Sequence, residues 1–292
     1  MSAQKEALAK AEVLSQALPW LLKYQGATIV IKFGGNAMVD NELINSFAED
    51  VTFLKLAGIN PIIVHGGGPQ ISQALKKAGI ETKFVKGLRV TDEKSIDIIK
   101  SVLVNEIQVQ LTKSLNSIYD FAVGISGDEK GVLQGKKINQ IDGEKVDLGL
   151  VGEITSVKAD PIREIIAGGK IPVISTLAIG DNNELLNINA DLAASSIAIA
   201  LGARKLIILT DVIGLMSDFP NPESLISQIT TLELTKLIPN LDEGMKPKMQ
   251  AALLAVEKGI PRAHVIDGRI AHGLLVEIFT DLGAGTMVVS HG

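Results

Sequence analysis

Six short apolar runs, most of them hydrophobic at successive positions rather than at every second one, restrict what this 292-residue chain can fold into. They span residues 28–33, 61–64, 122–126, 171–175, 206–210 and 264–267. Strands without polar alternation are covered on both faces. Helix-period segments separate them. Residues 43–57 set Leu43, Phe47, Val51, Leu54 and Ala57 on one face, and 71–78 and 191–201 follow the same period. Strand and helix in alternation predict an α/β fold, a mainly parallel sheet joined by right-handed crossovers.

Two of these runs end in glycine clusters. Thr28-Ile29-Val30-Ile31 leads into Lys32-Phe33-Gly34-Gly35, and Pro61-Ile62-Ile63-Val64 leads into His65-Gly66-Gly67-Gly68-Pro69. Consecutive glycines at a strand end let the backbone turn sharply and present bare N–H groups to an anion. Two such turns, one led by a lysine, point to donors converging on a phosphoryl group. The common nucleotide motifs are absent, however. Neither Gly135-Lys136 nor Gly169-Lys170 is followed by Ser or Thr, as a Walker loop requires. Ile71 stands where a dinucleotide fingerprint needs its last glycine.

Composition narrows the partners. A net charge of −5 and a pI near 5.5 speak against a general nucleic-acid surface, and 3% aromatic residues offer few stacking platforms. The absence of cysteine excludes disulfides, thiolate metal sites and cysteine nucleophiles. Lys5, Glu6, Lys10 and Glu12 interrupt any signal-peptide core, and no apolar run reaches the ~18 residues of a membrane span. A soluble, cytoplasmic protein without membrane contact is the expectation.

Three regions lie outside the alternation. Residues 131–152 are polar and glycine-rich and read as a hairpin or flap; 180–183 and 218–222 read as turns. Ahead of the first strand, residues 7–18 form a helical pattern with Leu8, Ala11, Leu14 and Leu18 in one stripe, and Pro19 should end or kink it. That helix either packs on its own domain or forms an arm that docks on a neighbouring subunit. The organisation expected is an N-terminal helix over 1–25, one lobe over 26–195 and a second over 196–292.

Several residues could carry chemistry, each beside a plainer reading. Lys32 and Lys248, the latter in Gly244-Met245-Lys246-Pro247-Lys248, could flank a transferring phosphoryl group or be ordinary surface charges. Asp191, in Asn187-Ile188-Asn189-Ala190-Asp191, could orient those lysines or serve only the helix N-terminus. Arg89, in Gly87-Leu88-Arg89-Val90-Thr91, suits a substrate carboxylate or a local salt bridge to Asp92 or Glu93. Thr210 and Asp211 end a strand where nucleotides bind in open sheets. The histidines show no metal-ligand spacing, His65 reads as shaping the glycine turn, and no Gly-x-Ser-x-Gly elbow occurs. No protein metal site is expected.

Taken together, these segments resemble the amino acid kinase family, and within it the acetylglutamate-phosphorylating branch, from Leu14 to Val288. The resemblance implies a three-layer αβα sandwich of two lobes around a mainly parallel sheet. It implies transfer of the ATP γ-phosphoryl group, with Mg2+ carried on the nucleotide, to the side-chain carboxylate of N-acetyl-L-glutamate. By motif position Lys32, Lys248 and Asp191 are catalytic. Gly67, Gly68, Arg89, Asn187 and Asn189 bind the substrate, and Gly34, Gly35 and Gly66, with Gly67, cradle phosphate. Thr210 and Asp211 contact the nucleotide. The resemblance also implies a homo-oligomer, dimeric or hexameric, inhibited by L-arginine at Tyr24, His272, Glu277 and Gly285, with a PII-type regulator as a further partner. Glu243 and the segment Gly124-Ile125-Ser126-Gly127-Asp128-Glu129-Lys130-Gly131 depart from the usual pattern. A kinase of glutamate or a carrier-linked derivative, or a non-catalytic arginine sensor, are the competing readings.

Overall fold

The computed structural model describes residues 3–141, 143–281 and 283–291. The first half of the chain forms α1 (Ala3–Gln16), α2 (Leu18–Tyr24), β1 (Thr28–Phe33), α3 (Asn41–Leu56), β2 (Asn60–His65), α4 (Gly68–Lys77), α5 (Glu93–Lys100), α6 (Val109–Ile118), β3 (Ala122–Ser126) and β4 (Leu133–Lys137). There follow β5 (Val151–Val157), α7 (Asp160–Ala167), β6 (Ile171–Ser175), β7 (Leu177–Ile179), β8 (Leu185–Ile188), α8 (Ala190–Leu201) and β9 (Lys205–Thr210). The chain closes with β10 (Gln228–Thr230), α9 (Thr231–Leu237), α10 (Lys246–Glu257), β11 (Arg262–Asp267), α11 (Gly273–Phe279) and β12 (Gly285–Val289).

Eight strands make one sheet in the order β10-β12-β11-β9-β1-β2-β6-β3, parallel except where β12 meets β11. All six apolar runs are strands of this sheet. Successive residues of β1 serve opposite faces: Val30 joins the core beneath α8 and α10, whereas Ile29, Ile31 and Phe33 join the core beneath α3 and α6. Such two-sided burial is why the runs lack polar alternation, and it gives the three-layer αβα sandwich. β1 lies at the centre, so Lys32 and the first glycine turn emerge mid-sheet.

Residues 131–152 are more than a flap. β4 and β5 pair antiparallel, and β7 and β8 return from beyond α7 to close a four-stranded barrel with them. The expected turn at 180–183 is the tip of the β7–β8 hairpin. Residues 93–118 run as one helical rod whose middle, Ser101–Gln108, is a π-helix. There the buried Gln108 amide donates to Ile125 O at 3.0 Å and Val173 O at 2.9 Å, tying the rod to strands β3 and β6.

Pro19 starts a helix instead of ending one: the break falls at Ala17, and the proline occupies the first turn of α2, where its missing N–H is harmless. The expected stripe is solvent-facing, with Leu8 and Leu14 of α1 66% and 69% exposed and Leu18, the first residue of α2, 55% exposed. Residue 195, the expected lobe change, lies inside α8. No helix among the described residues is long and apolar enough to cross a membrane.

Candidate active site

The two glycine turns lie side by side because β1 and β2 are in register, Phe33 opposite His65. Gly35 has φ +73°, a conformation side-chain-bearing residues rarely adopt, and Gly67 is pressed so close to the rod that an added Cβ would come within 2.5 Å of Ile107. His65 is fully buried, with Nδ1 3.2 Å from Gly66 O, and burial pulls its pKa down to about 4. The ring is therefore a neutral donor that shapes the turn.

α8 begins beside these turns. Its N-cap is Asn189, whose side-chain oxygen accepts from the amides of Asp191 at 2.9 Å and Leu192 at 3.1 Å. Asp191 is thereby released from capping duty. Its carboxylate lies 3.0 Å from Lys32 Nζ and 3.7 Å from Lys248 Nζ, joining β1 to the first turn of α10. Burial pushes the Asp191 carboxyl up, but the two ammonium groups outweigh it and hold its pKa below the usual range. Lys248 also donates to Gly244 O at 3.0 Å. Neither lysine is a loose surface charge.

Lys32 and Asp191 line a cavity of about 250 Å³ together with Gly34, Gly35, Gly66, Gly67, Gly68, Arg89, Asn187 and Asn189, bringing the expected substrate and phosphate residues together. Arg89 is buried; it donates to Gly68 O at 3.0 Å, Ser72 Oγ at 2.8 Å and Thr82 Oγ1 at 3.3 Å, and packs 4.8 Å from the Phe84 ring centroid. Burial lowers its pKa, and among the described residues no carboxylate pairs with it. The local salt bridge is not made, since Asp92 instead caps α5 through Ser95 N at 2.8 Å. A buried guanidinium held only by neutral acceptors suits an incoming carboxylate. Asn187 donates to Thr91 Oγ1 at 3.1 Å. Gly66 stands apart from the other glycines: its N–H donates to Phe33 O at 3.2 Å and so holds the turn. Phe84, Leu103 and Thr176 also line the cavity. No sequence motif marks them: Leu103 sits on the π-helix, Thr176 between β6 and β7, and Phe84 opposite Arg89 in a short hairpin.

Beyond Asp191 lies a cavity of about 810 Å³ bordered by Thr210, Asp211, Val212, Met245 and Lys248. Thr210 Oγ1 donates to Asp211 Oδ1 at 3.3 Å. The two cavities adjoin at the Lys32–Asp191–Lys248 group.

On the far side of the sheet, a recess of about 310 Å³ is lined by Tyr24, Glu277 and Gly285, with Lys23, Lys205 and His264 among its other walls. Glu277 Oε1 sits 2.6 Å from His264 Nδ1 and 3.3 Å from Lys205 Nζ, and Oε2 accepts from Ala284 N at 2.9 Å. Burial pushes the Glu277 carboxyl up, yet His264, Lys205 and that amide reverse the shift and hold its pKa at about 2. His272, expected in this recess, lies outside it. It follows the turn after β11 with φ 59° and binds α3, Nδ1 to Asp50 Oδ1 at 2.7 Å and N–H to Ser46 Oγ at 3.0 Å. His264 takes its place, with Nε2 buried and unpartnered. The signal for Lys205 was a lysine opening an apolar strand run, as Lys32 ends one.

The amino acid kinase family profile matches residues 27–267. The acetylglutamate kinase of Saccharopolyspora erythraea is 48% identical over 284 residues, covering 97% of this chain and 94% of that protein. That of Streptomyces coelicolor is 50% identical over 285 residues, covering 97% and 93%. Among solved structures, N-acetylglutamate synthase from Neisseria gonorrhoeae, complexed with coenzyme A and N-acetyl-glutamate, shares the fold with a TM-score of 0.85 at 24% identity. The match covers 97% of this chain, which spans only 64% of that longer one. Paired lysines about a buried aspartate, two glycine turns in register and near-full-length identity of about half lead to one conclusion: the chain belongs to the amino acid kinase family, among its acetylglutamate kinases.

Proposed function

We propose that the chain transfers the γ-phosphoryl group of ATP to the side-chain carboxylate of N-acetyl-L-glutamate, giving N-acetyl-L-glutamyl 5-phosphate and ADP, a step of arginine biosynthesis. One observation carries the reading: Lys32 and Lys248 converge on Asp191 where the two cavities adjoin. Arg89 and Asn187 hold the acetylated amino acid, Arg89 on its α-carboxylate, and the cavity containing Thr210 and Asp211 takes the nucleotide. The side-chain carboxylate attacks the γ-phosphorus as the bond to the β,γ-bridging oxygen breaks, and the electron pair leaves with ADP. A carboxylate nucleophile is already anionic, so no general base is needed. The cleft accordingly presents ammonium groups and bare amides. Lys32, Lys248 and the amides of Gly34, Gly35 and Gly67 stabilise charge spread over the moving group. Asp191, 3.0 and 3.7 Å from their Nζ atoms, keeps both lysines aimed.

Among the described residues no group of three histidine or carboxylate side chains could hold a metal. Asp191, the acid at the transfer point, is engaged by two lysines, so the chemistry of this donor set fits a cation carried on the nucleotide. Magnesium bound to the ATP phosphates supplies further neutralisation of their charge.

The recess at Tyr24 and Glu277 supports feedback inhibition by L-arginine. It carries cations at Lys23, Lys205 and Arg262 and acids at Glu277 and Asp281, the mixture an amino acid with a cationic side chain requires. His264 Nε2 offers an unused acceptor to a guanidinium N–H. The exposed apolar stripe of α1 supports an arm that packs on another subunit of a homo-oligomer.

A coupled ADP-release assay with N-acetylglutamate, glutamate, aspartate and carbamate tests the substrate. The highest kcat/KM is expected for N-acetylglutamate; preference for any other acid overturns the assignment.

A further inference from the structure

Residues 216–225 form a hairpin whose tip serves no step described so far. Phe219 stands there 65% exposed and borders the large cavity that Lys248 enters from its other side. The loop that carries it is well tied. Ser217 N donates to Ser224 O at 3.0 Å, Asp218 N to Ser224 Oγ at 3.1 Å and Asn221 N to Asp218 O at 2.8 Å, and Met216 bridges Leu225. The backbone thus holds a phenyl ring out over a cavity instead of folding it in. Among the described residues no other ring or cation stacks on it. A large apolar side chain left unpartnered at the mouth of a cavity marks a surface that a ligand covers.

The cavity says which ligand. Phosphate chemistry lies at the Lys248 side. The polar pair Thr210 and Asp211 borders the same space, and the remaining wall is largely apolar, including Val212, Leu215 and Met245. A ligand anionic at one end, polar in the middle and flat and weakly polar at the other matches a nucleoside triphosphate. Phe219 is the one aromatic residue lining this cavity among those described. We propose that Phe219 is the stacking platform for the nucleobase of the phosphoryl donor; the proposal rests on the reading above that ATP enters this cavity. Stacking on a π-face tolerates any base, so Phe219 contributes affinity, and discrimination between bases falls to the polar groups around it.

The test compares the wild type with Phe219→Ala and Phe219→Trp. KM for ATP is measured at saturating N-acetylglutamate, together with inhibition by inorganic tripolyphosphate, which has the phosphates without the base. Loss of one base–aromatic stack should raise KM for ATP by about 10-fold in the alanine variant. The tryptophan variant should retain the wild-type value, and tripolyphosphate should inhibit all three alike. An unchanged KM in Phe219→Ala overturns the proposal. Equal weakening of ATP and tripolyphosphate also overturns it, since the hairpin would then support the phosphate site. If the wild type turns over no ATP, the functional reading falls and the proposal with it.

Discussion

Asp191→Asn is the substitution that most directly probes the transfer site. It keeps the shape of the side chain and removes the charge that Lys32 meets at 3.0 Å and Lys248 at 3.7 Å. At an effective dielectric constant of about 20, contacts at 3.0 and 3.7 Å amount to roughly 5 kcal/mol of attraction each. Desolvation offsets most of this in the ground state, so the larger consequence is for the lysines. Two ammonium groups brought together without a counter-charge repel and move apart. Losing the aim of preorganised donors costs roughly 10²–10³-fold in kcat. With both lysines affected, we expect a fall of about 10³-fold, close to 4 kcal/mol of transition-state stabilisation. KM for N-acetylglutamate should move little, because Arg89 and Asn187 keep their own hydrogen bonds. The coupled ADP-release assay, with a thermal melt as a fold control, gives both kcat and KM. A kcat within about threefold of wild type would refute the role assigned to Asp191.

Two further outcomes follow from the geometry. His65 is neutral and buried with a pKa of about 4 against the usual 6.5, so the unfolded chain takes up a proton in this window that the folded chain refuses. Its contribution is complete above pH 6.5 and is lost as pH falls toward 4, about 3 kcal/mol in all. Denaturant titrations across that range should show the loss, and His65→Asn should flatten the slope; an unchanged slope would mean that another group is responsible. Removing residues 1–25 deletes α1 and α2, and with them Trp20 and Tyr24 from the recess wall. We expect a smaller particle by light scattering and weaker inhibition by arginine, and an unchanged mass would rule out the arm.

The main sheet was legible because its strands are short, apolar and glycine-terminated, all of which are local properties. Every strand read from the sequence is present, extended at most by two residues. The barrel was not legible, because β4 and β5 find β7 and β8 only after α7 and β6 have intervened. The π-helix escaped for a different reason: 93–118 keeps an apolar face that an ordinary helix would also show. At the site, Lys32, Asp191 and Lys248 could be joined as an expectation, but the contacts of 3.0 and 3.7 Å depend on α8 and α10 packing together against the sheet, which no local pattern records. Asn189 shows the same limit from the other side, as its capping of α8 is what frees Asp191 for the lysines. The recess takes His264 and not His272, and the sequence does not separate two histidines that flank one turn. His264 lies on β11 with its ring at the Glu277 carboxylate, whereas His272 lies beyond the turn and faces α3.

The floor of the substrate cleft is naked peptide, and that limits how the protein can change. A methyl group at position 34 would come within 3.0 Å of the Lys32 ammonium, one at 66 within 3.2 Å of Ala190, and one at 67 within 2.5 Å of Ile107. A side chain at 67 must displace buried Ile107, one at 66 crowds Ala190, and one at 34 pushes on the lysine that serves the transfer. New acceptor preferences therefore have to arise in the walls, at Phe84, Leu88 or Leu103, while the floor stays as it is.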